Sequence, residues 1–201
     1  MKLKDFQKWM PKAVFSSKEA QLIGWKGSPK TLTLQLSQWA KAGDLVRLKR
    51  GLYAFPVRVK DAVQVARALY EPCYLSLEFA LNAYGLIPDV PFAMTLVTPK
   101  ATRRFKTPFG EFVYQTLSPK LFWGYDPDTL MGEREKVILD YLYLNSGRLR
   151  AKSEFWREMR WQNLDQVDFR KAKKFAARFG VEKVRRLLLS LEDYGKAEKN
   201  R

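Results

Sequence analysis

Between Ser28 and Phe55 the chain reads SPKTLTLQLSQWAKAGDLVRLKRGLYAF, and the spacing of its apolar positions switches partway from a helical period to a strand period. Leu32, Leu36, Trp39 and Ala40 fall at i, i+4, i+7 and i+8, one face of a helix, which leaves Lys30, Leu34, Ser37, Gln38 and Lys41 on the opposite face. Ser28 is a good N-cap, Pro29 suits the first helical position where its missing N–H costs nothing, and Gly43 suits the left-handed residue that ends a helix. From Leu45 to Phe55 apolar and charged residues alternate, predicting two short strands around a turn at Lys49-Arg50-Gly51. A bounded helix followed by a basic hairpin predicts a winged helix-turn-helix, with the helix suited to a major groove and the hairpin cations to phosphates.

The same reading extends in both directions. Leu3, Phe6 and Met10 make one face of a short helix closed by Pro11, and Ser16-x-x-Glu19 is a capping-box signature opening a second helix in which Leu22 and Trp25 are expected to face inward. Residues 1–60 are therefore predicted to form the winged helix-turn-helix domain and residues 61–201 a second domain. In the latter, Val63, Ala66, Leu69 and Tyr70 mark a helix over 61–72, and Ser76 is expected to cap a helix from Leu77 to Tyr84 that Gly85 ends. Strand formers from Phe92 to Thr98 and around Phe112 and Tyr114 predict antiparallel strands near 92–115, joined by a solvated loop, Lys100–Lys106. Leu77, Leu81, Tyr84, Phe92 and Phe122 read as core residues. The chain is predicted helical from about 133, with apolar stripes at Val137/Ile138/Tyr141/Leu142, Ala172/Phe175/Ala176/Phe179 and Val184/Leu187/Leu188/Leu191, the last two separated by Gly180. The expected fold class is α+β: an N-terminal winged helix-turn-helix followed by a mixed α/β domain with a helical tail. There is no internal repeat and no low-complexity linker, so the boundary near residue 60 rests on the change of pattern.

Charge sharpens this picture. The 201 residues carry a formal net charge of +16, which points to a polyanionic partner. The excess is uneven: +10 in residues 1–60, +1 in 61–125 and +5 in 126–201. Double-stranded DNA is the expected partner. The candidate DNA-binding residues are Lys30, Thr31, Thr33, Ser37, Gln38, Lys41, Arg47, Lys49 and Arg50. Additional nucleic-acid contacts are sought at Lys100, Arg103, Arg104 and Lys106, and along one outward face of a later helix at Lys171, Lys174 and Arg178.

Several chemistries are excluded by what the chain lacks. It has no histidine, the usual general base and transition-metal ligand, so Ser-His-Asp, Cys-His and HExxH arrangements cannot form. Cys73 stands alone, which rules out an intrachain disulfide and a cysteine-based zinc site. Glu133, Glu135 and Asp140, or Asp165 and Asp168, are the remaining groups with which Mg²⁺ could be held, but they interleave with Arg134, Lys136 and Arg170 and read as solvated helix faces. No GxGxxG, Walker-type or GxSxG motif is present. No cofactor and no metal are expected, and an enzyme is not. No apolar run reaches the roughly 18 residues needed to span a bilayer, and MKLKDFQKWMPK lacks the apolar core of a signal peptide, so a cytoplasmic protein without a membrane partner is expected.

Residues 74–125 carry a recognisable series: Tyr74-Leu75-Ser76-Leu77-Glu78, Ala80-Leu81-Asn82-Ala83-Tyr84-Gly85-Leu86-Ile87-Pro88, Thr98 with basic residues after it, Lys106-Thr107-Pro108-Phe109-Gly110 and Leu121-Phe122-Trp123-Gly124-Tyr125. With Arg50-Gly51-Leu52-Tyr53 upstream and Glu135 to Leu144 downstream, the order and spacing resemble the AbiEi family of type IV antitoxins and related transcriptional regulators, over about residues 15–147. The chain departs from the family pattern at Gly132-Glu133-Arg134, where a more apolar, proline-containing lead-in is usual, and the tail after residue 150 matches only in being basic and helical. The resemblance implies an N-terminal winged helix joined to a C-terminal antitoxin domain, binding to inverted repeats in the protein's own promoter, and a neighbouring nucleotidyltransferase-like toxin opposed without a stable complex. The function expected is thus a DNA-binding autorepressor with antitoxin activity. A winged-helix regulator without a toxin partner and an RNA-binding protein are the alternatives.

Overall fold

The computed structural model describes residues 2–23 and 25–199. It is an α+β protein that divides into two compact units, residues 1–71 with 104–112, and residues 72–103 with 113–201. The helix at 62–69, assigned by pattern to the second domain, therefore belongs to the first unit, as does the tip of a later hairpin.

The first unit contains α1 (Leu3–Trp9), β1 (Val14–Ser16), α2 (Ser17–Leu22), α3 (Pro29–Lys41), β2 (Val46–Lys49), β3 (Leu52–Ala54) and α4 (Ala62–Leu69). The helix starts are locally encoded. Ser16 Oγ accepts from the Glu19 N–H at 3.2 Å while Glu19 Oε2 accepts from the Ser16 N–H at 2.8 Å, a reciprocal cap. Ser28 Oγ accepts from the Thr31 N–H at 3.1 Å, and Gly43, at φ +84°, follows the last turn of α3. Leu22 does not pack inward as expected; it is 84% exposed. With the helix starting at Ser17, the inward positions are Ala20 and Ile23, and Leu22 lies off that stripe. Trp25 is half-buried against the core.

The sheet of this unit has the order β1-β3-β2, antiparallel throughout. Phe15 pairs with Tyr53, and Arg47 pairs with the same residue from the other side. Arg47 and Lys49 then face consecutive partners on β3, so Leu48 is an extra residue, a bulge whose side chain is buried. Strand β1 is an addition to the sequence reading, since three residues between two helices leave no period to read. The core against which these elements pack is aromatic: the Phe6 ring lies 5.4 Å from Phe15 and 5.1 Å from Trp39, with Phe55 5.2 Å from Phe15. Such pairs contribute about 0.5–1.5 kcal/mol beyond burial alone.

The second unit holds β4 (Tyr74–Leu75), α5 (Leu77–Ala83), β5 (Ala93–Thr98), most of β7 (Gly110–Thr116), α6 (Arg134–Leu144), α7 (Ser153–Glu158), α8 (Phe169–Phe179) and α9 (Glu182–Lys199). Between β5 and β7 runs β6 (Arg103–Thr107), and the sheet order is β4-β5-β7-β6. Residues 103–106 are thus a strand, not the loop the cluster of cations suggested. Phe92 is another correction: it precedes β5 and is fully exposed, while Phe122 lies half-buried against the core. The three helical stripes of the last third are buried apart from a partly buried Phe175, and Gly180 ends α8 in the left-handed conformation at φ +67°.

Candidate nucleic-acid interface

On α3 the capped start and the buried stripe Leu32, Leu36 and Trp39 fix which side faces outward. Lys30, Thr31, Thr33, Leu34, Gln38 and Lys41 are exposed there, and Ser37 is half-buried. Two of the threonine hydroxyls are already engaged: Thr33 Oγ1 donates to the Pro29 carbonyl at 2.9 Å, and Thr31 Oγ1 lies 2.9 Å from Ser28 Oγ. Pro29, Lys30, Thr31, Thr33, Leu34 and Ser37 line a shallow concavity on this face.

The hairpin after α3 turns at Arg50-Gly51, with Gly51 at φ +74°. A side chain would be strained in that conformation. The turn is held against α2, whose first N–H, from Ser17, donates to the Gly51 carbonyl at 2.9 Å. Arg47 and Arg50 are exposed. Among the described residues, no carboxylate lies within ion-pair distance of Lys30, Lys41, Arg47 or Arg50. Lys49 differs from the expectation that it would stand at the tip: it is half-buried, its Nζ donates to the Leu69 carbonyl at the end of α4, and it lies 5.4 Å from the Phe105 ring. The Phe105 ring is in turn 6.1 Å from Tyr70. Lys49 is an anchor within the first unit, a role that depends on residues 20 and 56 positions away and so left no local mark.

The secondary candidates divide in the same way. Arg104 and Lys106, exposed on β6, belong to the first unit, and Arg104 Nε pairs with Glu111 at 2.9 Å. Lys100 and Arg103 are exposed and belong to the second unit. On α8, Lys174 is exposed, but Lys171 bridges Glu133 at 2.6 Å and Glu135 at 3.2 Å, and the Arg178 guanidinium covers the Trp123 ring at 4.1 Å. The α8 face expected to be a row of outward cations is therefore largely occupied by its own neighbours.

A polar cluster that sequence reading missed lies inside the second unit. Glu135, Lys136 and Asp140 of α6 are buried, where a solvated face was expected, because residues 135–142 of this helix are enclosed on every side. Lys136 Nζ pairs with Asp140 Oδ1, and it also donates to the Tyr74 hydroxyl at 2.7 Å. That hydroxyl donates to Asp140 Oδ2 at 2.7 Å, and Ser76 Oγ donates to the same oxygen at 3.0 Å. Ser76 does not cap α5 as expected, since its hydroxyl is turned to Asp140. Thr95 Oγ1 supplies that cap instead, accepting from the Phe79 N–H at 3.0 Å and donating to the Ser76 carbonyl at 2.8 Å.

The walls of this cluster are aromatic, with Phe179, Trp123 and Tyr74 rings 4.9, 5.1 and 5.4 Å from Lys136 Nζ. Burial pushes the Lys136 ammonium down and the Asp140 carboxyl up from their ordinary ranges, each opposed by the other's charge, and burial beside Asp140 raises the Tyr74 hydroxyl well above its usual range. Leu77, buried at the start of α5, adopts φ +59°, a strained backbone that costs on the order of 1 kcal/mol. Neither charged side chain has exposed surface, so the cluster presents no atom to a ligand and acts as an internal brace. The i, i+4 spacing of Lys136 and Asp140 was its only signal in sequence.

No group of three or more His, Cys, Asp or Glu side chains is arranged to hold a metal ion among the described residues. Four of the five carboxylates considered for Mg²⁺ have other work: Glu133 and Glu135 hold Lys171, Asp140 holds Lys136, and Asp168 caps α8 by accepting from the Lys171 N–H at 3.0 Å. No helix among those described is long and apolar enough to cross a membrane. Set against protein-family models and curated proteins, the chain matches none.

Proposed function

We propose that the protein is a sequence-selective DNA-binding regulator whose first unit works as a winged helix-turn-helix. In this reading α2 and α3 form the helix pair, the outward face of α3 enters a major groove, and the β2–β3 turn follows the adjacent backbone. The observation that carries it is the set of exposed, carboxylate-free cations Lys30, Lys41, Arg47 and Arg50 spread over one helix face and one hairpin of a single unit. Cations in water without partners gain most from a polyanion, because each phosphate neutralised releases a condensed counterion. Gln38 and Ser37 supply the hydrogen-bonding groups that base edges require.

The resemblance to AbiEi antitoxins supports the finer reading: an autorepressor of its own promoter, bound at an inverted repeat, and an antitoxin that opposes a nucleotidyltransferase-like toxin. Footprinting of full-length protein on the DNA upstream of its reading frame tests the first part. Protection of two half-sites about one or two helical turns apart is expected, and uniform coverage that unrelated DNA removes equally well would sink it. Co-expression with the adjacent reading frame tests the second part, and growth arrest that the protein fails to relieve would leave a regulator without antitoxin activity.

A further inference from the structure

Of the large apolar side chains exposed on the described surface, Leu34 alone lies on α3, 61% exposed within the outward face. Thr33, which lines the same concavity, adds to its character. The Thr33 hydroxyl proton is committed to the Pro29 carbonyl, so Thr33 offers a methyl and an acceptor oxygen but no donor. The N-terminal half of the face thus holds an apolar spot, Thr33 and Leu34, between the cation Lys30 and the amide of Gln38. An isolated exposed leucine needs no explanation on most surfaces. Here it occupies the concave part of a face whose flanking cations have no carboxylate partners, and that charge complementarity points to one occupant, the major groove of duplex DNA.

The one apolar group a base pair displays in that groove is the C5-methyl of thymine. We propose that Leu34, with the Thr33 methyl beside it, reads a thymine methyl, making α3 selective for thymine at one defined position of its half-site. This rests on the DNA-binding reading above and deepens it. Leu34 and Gln38 are one turn apart on the same face, a rise of about 6 Å, which spans roughly two base-pair steps of 3.4 Å. The thymine should therefore lie within about two base pairs of the adenine that Gln38 is suited to read.

The test uses full-length protein and a random duplex library. Selection yields a preferred duplex, which is then synthesised with deoxyuridine replacing thymidine at one position at a time, removing a single methyl and leaving base pairing intact. The wild-type protein should bind about three- to fivefold more weakly at one position, as expected for one methyl withdrawn from an apolar contact. Leu34→Ala should lose most of the difference between the thymidine and deoxyuridine duplexes there. Thr33→Ser, which keeps the hydroxyl bond and loses the methyl, should show reduced discrimination.

Deoxyuridine tolerated at every position would overturn the inference and leave DNA binding standing. The same follows if Leu34→Ala discriminates as the wild type does, or if it changes only the sedimentation of the free protein, which would mark Leu34 as a contact between copies. Failure of any duplex to be enriched would remove the DNA-binding reading itself, and the thymine contact with it.

Discussion

The outward cations of α3 and the β2–β3 hairpin differ from many of the cations that pack around the helices of the second unit. In the first unit, Lys30, Lys41, Arg47 and Arg50 stand in solvent without a carboxylate in reach. In the second, Arg148 meets Glu78, Arg160 meets Asp89, Lys171 bridges two glutamates, Lys173 and Lys196 share Glu192, and Lys136 is enclosed altogether with Asp140. A folded surface can reduce the repulsion among its cations by placing acids between them, and the second unit does so. The first does so at Lys12–Glu19 and Arg104–Glu111 but leaves the cations of α3 and of the β2–β3 hairpin without acids between them, which is the arrangement expected when the compensating charge comes from outside the chain. Composition alone blurs this contrast, because a lysine counts the same whether paired, buried or free.

The sharpest way to break the contrast is at its buried extreme. Lys136→Met leaves Asp140 without its counter-charge in a site with no exposed surface and should cost about 3–5 kcal/mol of unfolding free energy. Adding Asp140→Asn removes the stranded charge and keeps an acceptor for Tyr74 and Ser76, so the double variant should recover much of the loss. Denaturant titrations of wild type, single and double variants measure both steps. A single variant as stable as wild type would mean that the pair is no brace.

Next in size is the reading face of α3. Gln38→Ala should weaken binding to the preferred duplex by about 1–3 kcal/mol and relax base preference at one position, with the salt dependence nearly unchanged. Equal loss on every sequence would reassign Gln38 to the backbone. The cations should do the reverse. Replacing Arg47 and Arg50 together by Ala should reduce the slope of log K against log salt by about 1.8 in magnitude, roughly a tenfold smaller change in affinity between 50 and 200 mM salt. Lys173→Ala, which removes a paired cation from the second unit, should leave that slope alone. Titrations at four salt concentrations compare the two, and equal slopes for both variants would erase the distinction between free and paired cations.

What could be read in the chain follows from how local each interaction is. The limits of α3 were legible because Ser28, Pro29 and Gly43 act on their own neighbours, and the Ser16–Glu19 cap for the same reason. The short strands β1, β4 and β6 were not, since a segment of two to five residues becomes a strand through a distant partner: β1 through β3, β4 through β5. Charge was the more misleading guide. Lys136 and Asp140 look like an exposed helix pair until Tyr74, Trp123 and Phe179 close around them, and Lys49 looks like a turn-tip cation until Leu69 and Phe105 engage it. The exposed positions of α3 were correctly read as outward because the opposite stripe was unambiguous.

The smallest expected effect concerns one of the few acids of the first unit. Glu19 is held by Lys12 at 2.5 Å and by the N–H and hydroxyl of Ser16, both at 2.8 Å, and the Lys12 hydrogen bond, followed by the Ser16 backbone bond, brings its carboxyl down to about 2. A carboxyl whose folded value lies below its unfolded one, 4.5, adds stability that is complete above that unfolded value and is lost as pH falls from 4.5 towards 2. Because the side chain is 38% exposed, solvent screening cuts the contribution well below the full linkage value, to about 1 kcal/mol. Glu19→Gln should therefore be less stable than wild type by about that amount at pH 6, and the two stability curves should converge by about pH 2. Denaturant titrations of both proteins across this range check the sign. Curves that stay parallel down to pH 2 would show that the cap owes nothing to the carboxylate's charge, and that even the first unit's acids contribute through hydrogen bonds and not through pairing.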